Sequence, residues 1–231
     1  MKYPDDFVNK VICGNCLEVM KEINPKDISM ILTDPPYGIN LNTDWSGAKS
    51  SLANAKEKGI FGGKKYDKII NDNKPFNPIP ILEKFVDVKE QFWFGADYYC
   101  ERISNKNNGS WFVWDKRLTE KADKMYGSGF EMIWSKAKHK RDILRYKWAG
   151  IFGIEKQDIK ERIHPNQKPL DLIMWLIKSF SKESDIILDL FAGGGSILVA
   201  AKRLKRNFIG IEIEPKYCKI AEERLRQEIL L

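Results

Sequence analysis

The stretch from Asp185 to Leu204 sets the tightest limit on the fold. Ile186-Ile187-Leu188 is an unbroken apolar run, the pattern of a strand covered on both faces in a parallel sheet. Asp189-Leu190-Phe191-Ala192-Gly193-Gly194-Gly195-Ser196 follows, and then Ile197, Leu198, Ala201 and Leu204 recur at helical spacing. A buried strand, a glycine turn and a helix in succession belong to an α/β protein.

The same alternation runs along the chain. Strand-like runs occupy Lys10–Cys13, Ser29–Thr33, Gln91–Phe94, Ser110–Trp114, Glu131–Trp134, Asp185–Leu190 and Asn207–Ile213. Helical patterns lie between them at Leu17, Met20 and Ile23 and at Leu172, Ile173, Leu176, Ile177 and Phe180. A last one, started by Pro215, holds Tyr217, Ile220, Ala221 and Leu225. The expectation is a doubly wound α/β sheet of seven strands in a single domain spanning residues 1–231. Two stretches break the alternation. Residues 38–78 are rich in Gly, Asn, Lys and Ser, and read as a long functional loop or lid. Residues 135–163 are basic and lack periodicity, and read as a small insert.

Charge is concentrated in that insert. The chain carries +7 overall, yet residues 135–148 alone hold Lys136, Lys138, Lys140, Arg141, Arg145 and Lys147 against Asp142. A binding site for a polyanion concentrates charge in this way, and so does a solvated loop. Hydrophobic residues at 43% and charged residues at 31% exclude a disordered or fibrous chain. The longest mainly apolar run, Ile186 to Ala201, is too short for a membrane span and is broken by Asp189 and three glycines. The N-terminus lacks the apolar core of a secretory signal, and four cysteines are no disulfide framework, so a reducing, cytoplasmic setting is expected. Cys13-x-x-Cys16 has no second Cys/His pair to complete a zinc site, so no metal is expected, and Cys13 reads as a buried strand residue.

Two motifs carry chemistry. In the first, the glycines after Asp189 permit a tight turn and a close backbone approach to a ligand, at a helix start with free N–H groups. The next strand ends at Glu212, placed to accept both hydroxyls of a ribose. Together they read as a site for an adenosine-containing cofactor. The dinucleotide pattern fails because Leu198 stands at the third glycine position. The second motif is Asp34-Pro35-Pro36-Tyr37, directly after a strand. The prolines hold the chain extended, so the Asp34 carboxylate and the Pro35 carbonyl can project together as two acceptors for a planar amino group. Tyr37 offers a ring on which a base can stack. Ligands of a doubly wound sheet bind beyond the carboxyl ends of its strands, where both motifs fall. A cofactor site facing an amino-group site suits group transfer to nitrogen.

These residues resemble the S-adenosylmethionine-dependent amino-methyltransferases of DNA, which act on adenine N6 or cytosine N4. Asp34-Pro35-Pro36-Tyr37 is similar to their catalytic motif and Asp189 to Ser196 to their cofactor motif, in the order of the beta group. His164-Pro165-Asn166-Gln167-Lys168-Pro169 resembles the motif that precedes the cofactor strand, and Cys13-Gly14-Asn15-Cys16 the N-terminal segment, with Asn15 where the family commonly has Asp. Phe94-Gly95-Ala96-Asp97, Trp111 to Lys116 and Arg145-Tyr146-Lys147-Trp148 resemble compact members from bacteriophages and prophages. The resemblance implies a Rossmann-like sheet with one antiparallel strand, base flipping on double-stranded DNA, and, by analogy, a homodimer. It implies that Asp34, Pro35, Pro36 and Tyr37 hold the target. Asn15, Asp34, His164, Asn166, Lys168, Asp189, Phe191, Ala192, Gly193, Gly195, Ser196 and Glu212 would form the cofactor site. The basic segment falls where this group reads its target, so Lys136, Lys138, Lys140, Arg141, Arg145 and Lys147, with Lys64 and Lys65 of the long loop, are the expected DNA contacts, and His139 is expected among solvated charges. Adenine is expected because Asp before Pro-Pro-Tyr is commoner in adenine enzymes. Cytosine N4 is the alternative, and methylation of a protein glutamine amide, which uses Asn-Pro-Pro-Tyr, is a more distant one. A non-catalytic DNA binder would not need Asp34, Tyr37 and Glu212 intact, and a nicotinamide enzyme gives Asp34–Tyr37 no role.

Overall fold

The computed structural model describes residues 1–44, 65–117, 128–146 and 167–227. Its strands are β1 (Lys10–Cys13), β2 (Met30–Thr33), β3 (Glu90–Phe94), β4 (Ser110–Asp115), β5 (Phe130–Ser135), β6 (Ile143–Arg145), β7 (Ile186–Asp189) and β8 (Asn207–Glu212). The helices are α1 (Cys16–Val19), α2 (Ile79–Lys84), α3 (Leu170–Phe180), α4 (Ser196–Arg203) and α5 (Pro215–Gln227). The strands form one sheet in the order β1-β8-β7-β2-β3-β5-β4-β6. All run the same way except β5, which is antiparallel to both β3 and β4.

All seven expected strands are present. The eighth, β6, lies inside the basic segment, where only Leu144 of its three residues turns inward, too short a pattern to read from the sequence. The N-terminal helical pattern is interrupted: α1 is a single turn and continues as a 3-10 turn over Met20–Glu22. Cys13 is exposed rather than buried, because β1 is an edge strand that turns only Ile12 fully into the core.

Both faces of the sheet are covered. Met30 and Leu32 point to the side of α3 and α4, packing with Leu172, Ile173, Leu176 and Leu198. Ile31, Trp93 and Leu188 point the other way and pack with Ile81 and Phe85 of the α2 region. Full burial of such a side chain contributes roughly 1.5–3 kcal/mol. The chain winds outward in one direction from β2 and in the other from β7, so the strand order reverses between these two neighbours (Met30↔Ile187, Ile31↔Leu188). Beyond their carboxyl ends lies the crevice in which a doubly wound sheet binds ligands.

Candidate active site

Strand β2 delivers Asp34 to this crevice and β7 delivers Asp189, 155 positions apart in sequence. The buried Thr33 ties the two strand ends together. Its Oγ1 donates to Asp189 Oδ1 at 3.0 Å and accepts from the Leu190 N–H at 3.2 Å. Phe191 N–H donates to the same Asp189 oxygen at 3.1 Å. Burial pushes the Asp189 carboxyl up to about 7, against the lowering effect of these hydrogen bonds.

The glycine turn is shaped from both sides. Gly195, at φ +76°, leads into α4, and a Cβ there would lie 2.8 Å from Ala221 Cβ of α5. Glu212, at the end of β8, accepts the Gly193 N–H at 2.7 Å and the Glu214 N–H at 2.8 Å, so the second strand end clamps the turn. Leu198, which breaks the dinucleotide pattern, faces Gly210 of β8, where a Cβ would come within 2.3 Å of Leu198 Cδ1. Close helix–strand packing is therefore kept, with the glycine on the strand instead of the helix.

Both motifs line one cleft beyond the carboxyl ends of β2 and β7, the place where a doubly wound sheet binds its ligands. Asn15, Asp34, Pro35, Pro36 and Lys168 contribute to its wall, as do Asp189, Phe191, Ala192, Gly193, Ser196 and Glu212. Asn15 also caps α1, its Oδ1 accepting from the Leu17 N–H at 2.9 Å. Phe191 is braced edge-on by Phe76. Ile69, Ile70 and Asn71 close the cleft from the long loop. That part of the loop is pinned by the buried Asp72, whose carboxylate accepts from Gly38 N–H at 2.9 Å and Leu41 N–H at 2.7 Å.

Asp34 is largely buried and held on both oxygens. Tyr37 OH donates to Oδ1 at 2.6 Å and Lys168 Nζ to Oδ2 at 2.6 Å. Burial raises the Asp34 carboxyl above the usual range, and Lys168 only partly offsets this. Lys168 is 6% exposed. Burial alone would lower its ammonium, but Asp34 and Glu131 outweigh it and hold it above the ordinary lysine value. Its ammonium thus serves the Asp34–Tyr37 pair, a placement the motif alone did not reveal. The Tyr37 ring rests on the backbone of Gly95, which has φ +60°. On Tyr37 stacks the half-exposed Tyr98, with centroids 5.1 Å apart and planes 12° from parallel.

Sequence reasoning missed Glu131, Lys116 and Tyr98. Glu131 accepts from Lys116 Nζ at 2.7 Å and lies 3.5 Å from Lys168 Nζ. It sits within an ordinary strand pattern, and no sequence signal separates it from a surface carboxylate.

The basic segment is not where the sequence suggested. Strand β5 runs against its neighbours, so Glu131 is at the carboxyl edge of the sheet and Ser135 at the amino edge, opposite the start of β4. Lys136, Lys138, Lys140 and Arg141 follow Ser135 and therefore lie away from the crevice, about 15 Å off at ~3.3 Å per strand residue. The Lys136 ammonium is held by the Val86 and Val88 carbonyls. His139 does not sit among solvated charges. It stacks on Phe92 and pairs with Glu90 at 2.9 Å. Arg145 alone among the described cations of this segment returns to the carboxyl edge, opposite Asp115. Lys65 pairs with Asp44 at 3.2 Å. Lys64, Lys147, Trp148, His164 and Asn166 lie outside the described residues. Among the described residues no cluster of His, Cys, Asp or Glu could hold a metal ion, and no helix is long and apolar enough to cross a membrane.

A family model for DNA methylase, of the N6/N4 methyltransferase class, matches residues 28–223. The Type II methyltransferase M.HinfI of Haemophilus influenzae is 29% identical over 96% of this chain and 70% of its own length. M2.DpnII of Streptococcus pneumoniae, also a Type II methyltransferase, is 28% identical over 95% of this chain and 91% of its own. Among solved structures, the M1.HpyAVI–SAM complex superposes with a TM-score of 0.53 at 21% identity, covering 94% of this chain and 98% of that one. The cytosine-N4-specific PvuII DNA methyltransferase superposes with a TM-score of 0.59 at 13% identity, covering 97% and 93%. These superpositions bear on the fold.

Proposed function

The chain belongs to the N6/N4 class of the DNA methylase family, and from that premise we propose that it methylates the N6 amino nitrogen of an adenine flipped out of double-stranded DNA. The methyl donor is S-adenosylmethionine. The observation that carries the reading is the meeting of Asp34 and the Asp189–Ser196 turn in one cleft at the switch point of the sheet.

The cleft fits that cofactor by its donor set. Glu212 presents a carboxylate at the second strand end for the ribose hydroxyls, and the glycine turn supplies backbone close to the ligand. When bound, the cofactor supplies a methyl group already activated by a sulfonium. The chain's own work is then positional. Asp34 and the Pro35 carbonyl accept the two amino hydrogens and turn the nitrogen towards the methyl. As the nitrogen gains positive charge, the nearby Asp34 carboxylate stabilises it. Burial, which raises the Asp34 carboxyl, also makes it a competent acceptor for the proton the methylated nitrogen gives up. A base stacking on Tyr37 would extend or displace the existing Tyr98 stack. Asp at position 34 supports adenine over cytosine by resemblance. DNA contacts are assigned to cations at the carboxyl edge, Arg145 among them. A second copy of the chain would enlarge this small recognition surface, which molar mass in solution tests.

The test is transfer of labelled methyl groups to DNA of varied sequence, to RNA and to release factor, followed by digestion of the product. N6-methyladenine in DNA is expected. N4-methylcytosine would overturn the choice of base, and no transfer to any DNA would overturn the enzyme. Asp34→Ala should lose at least about a hundredfold in rate while retaining cofactor affinity.

A further inference from the structure

The antiparallel strand brings one more charged group to the site. Glu131, at the start of β5, stands between two ammoniums: Lys116 from the end of β4 at 2.7 Å and Lys168 at 3.5 Å. Lys168 reaches Asp34 in turn at 2.6 Å. Lys116, Glu131, Lys168 and Asp34 thus alternate in sign across three strand ends and the segment before α3, and their formal charges cancel. Glu131 Oε2 is buried, and its approach to Lys168 is a charge contact without hydrogen-bond geometry. Burial alone would raise the Glu131 carboxyl, but Lys168 and Lys116 outweigh it and hold it below the usual range, so it stays charged between the two ammoniums. Its position points to the reaction.

We infer that Glu131 is a positioning residue for methyl transfer: it anchors the Lys168 ammonium beside Asp34 and Tyr37 and offsets its charge, so that Asp34 stays a strong acceptor for the target nitrogen. This rests on the proposed amino-methyl transfer. Paired with Lys168 alone, Asp34 would face the base as half of a neutral ion pair. With Glu131 drawing on the same ammonium, the carboxylate presents more of its charge where positive charge develops. Glu131 touches neither base nor cofactor in this scheme and acts through Lys168.

The experiment is single-turnover methylation by the full chain, with rates normalised to sites counted by S-adenosylmethionine binding. Glu131→Gln keeps the shape and loses the charge. It is expected to slow transfer about 10- to 100-fold, the range for an outer partner that orients a reacting group, with cofactor and DNA affinities within twofold of the parent. Glu131→Asp, which restores the charge, should recover part of the rate. Lys116→Gln leaves Glu131 to draw on Lys168 alone, so it should raise the rate about twofold or more, and it keeps the test available should Glu131→Gln fail to fold. Parent rates in both Gln variants would overturn the inference, as would a loss confined to cofactor or DNA affinity. A parent protein that transfers no methyl group would overturn the functional reading itself.

Discussion

Alanine at Gly95 probes how the Tyr37 ring is held over the catalytic carboxylate. Gly95 has φ +60°, and a Cβ built there would lie 2.2 Å from two atoms of the Tyr37 ring. Two penalties follow. A residue with a Cβ in the left-handed region costs roughly 1–2 kcal/mol, and overpacking a well-filled site costs about 1–3 kcal/mol. Gly95→Ala should therefore destabilise the fold by about 2–5 kcal/mol, which for a chain of this size lowers Tm by about 4–20 °C. Only the second penalty depends on the ring. In a Tyr37→Ala background Gly95→Ala should cost only the backbone part, about 1–2 kcal/mol, leaving a coupling of about 1–3 kcal/mol in the double-mutant cycle. Urea unfolding of the four proteins measures it. Should the ring escape the clash by swinging away, the Tyr37–Asp34 hydrogen bond breaks, and the coupling appears as lost methyl transfer in Gly95→Ala. Equal costs in the two backgrounds, with methyl transfer intact in Gly95→Ala, would refute the claim that this glycine exists to seat the ring.

The placement of cations yields a second expectation: replacing exposed Arg145 at the carboxyl edge, with Lys68 and Lys74 on either side of the cleft-lining Ile69, Ile70 and Asn71, by Gln should reduce the salt slope of DNA binding by up to about 2.7, or ~0.9 per phosphate contact. The same change at Lys138, Lys140 and Arg141 should leave it unaltered, and the opposite ranking would place the DNA on the wrong edge of the sheet. Asp189, held up to about 7 by burial, binds a proton in the folded state between its ordinary carboxylate range and neutrality, while the unfolded chain does not. Stability of the cofactor-free protein should therefore fall as pH rises through that window, and Asp189→Asn should remove this component. Parallel pH–Tm curves for the two proteins would contradict it. Gly210→Ala should cost about 1–3 kcal/mol by pressing on Leu198, and clearly less in a Leu198→Ala background, as thermal unfolding of the pair would register.

How much of this was legible in the sequence depended on whether a feature is local. The strand runs and the glycine turn carry their own patterns, because continuous burial and positive φ dictate residue types at fixed positions. Asp34 and Asp189 could be placed together from one rule about strand ends. Lys168 could be assigned to the site but not to its partner, since its reach to Asp34 depends on how the segment before α3 enters the crevice. The third glycine of the dinucleotide pattern looked lost at Leu198, yet Gly210, twelve positions on, provides the same clearance. Two facing surfaces can exchange which one carries the small residue, and a linear pattern records only one of them.

Strand direction is the property that the sequence hid, and it decides where the basic segment and Glu131 lie. A strand's burial pattern reads identically whether it runs with its neighbours or against them. Because β5 runs against them, a single reversal sends the basic residues after Ser135 to the amino edge and brings Glu131, five positions from Lys136, to the catalytic edge. Lys136, Lys138, Lys140 and Arg141 are thereby separated from the crevice, whereas β6 carries Arg145 back. An unremarkable glutamate takes their place beside Asp34 and Lys168. Charge density along the chain identifies a site only after the direction of each strand is known. The contrast between the two lysine–arginine triples in DNA binding therefore tests the topology as much as the contacts.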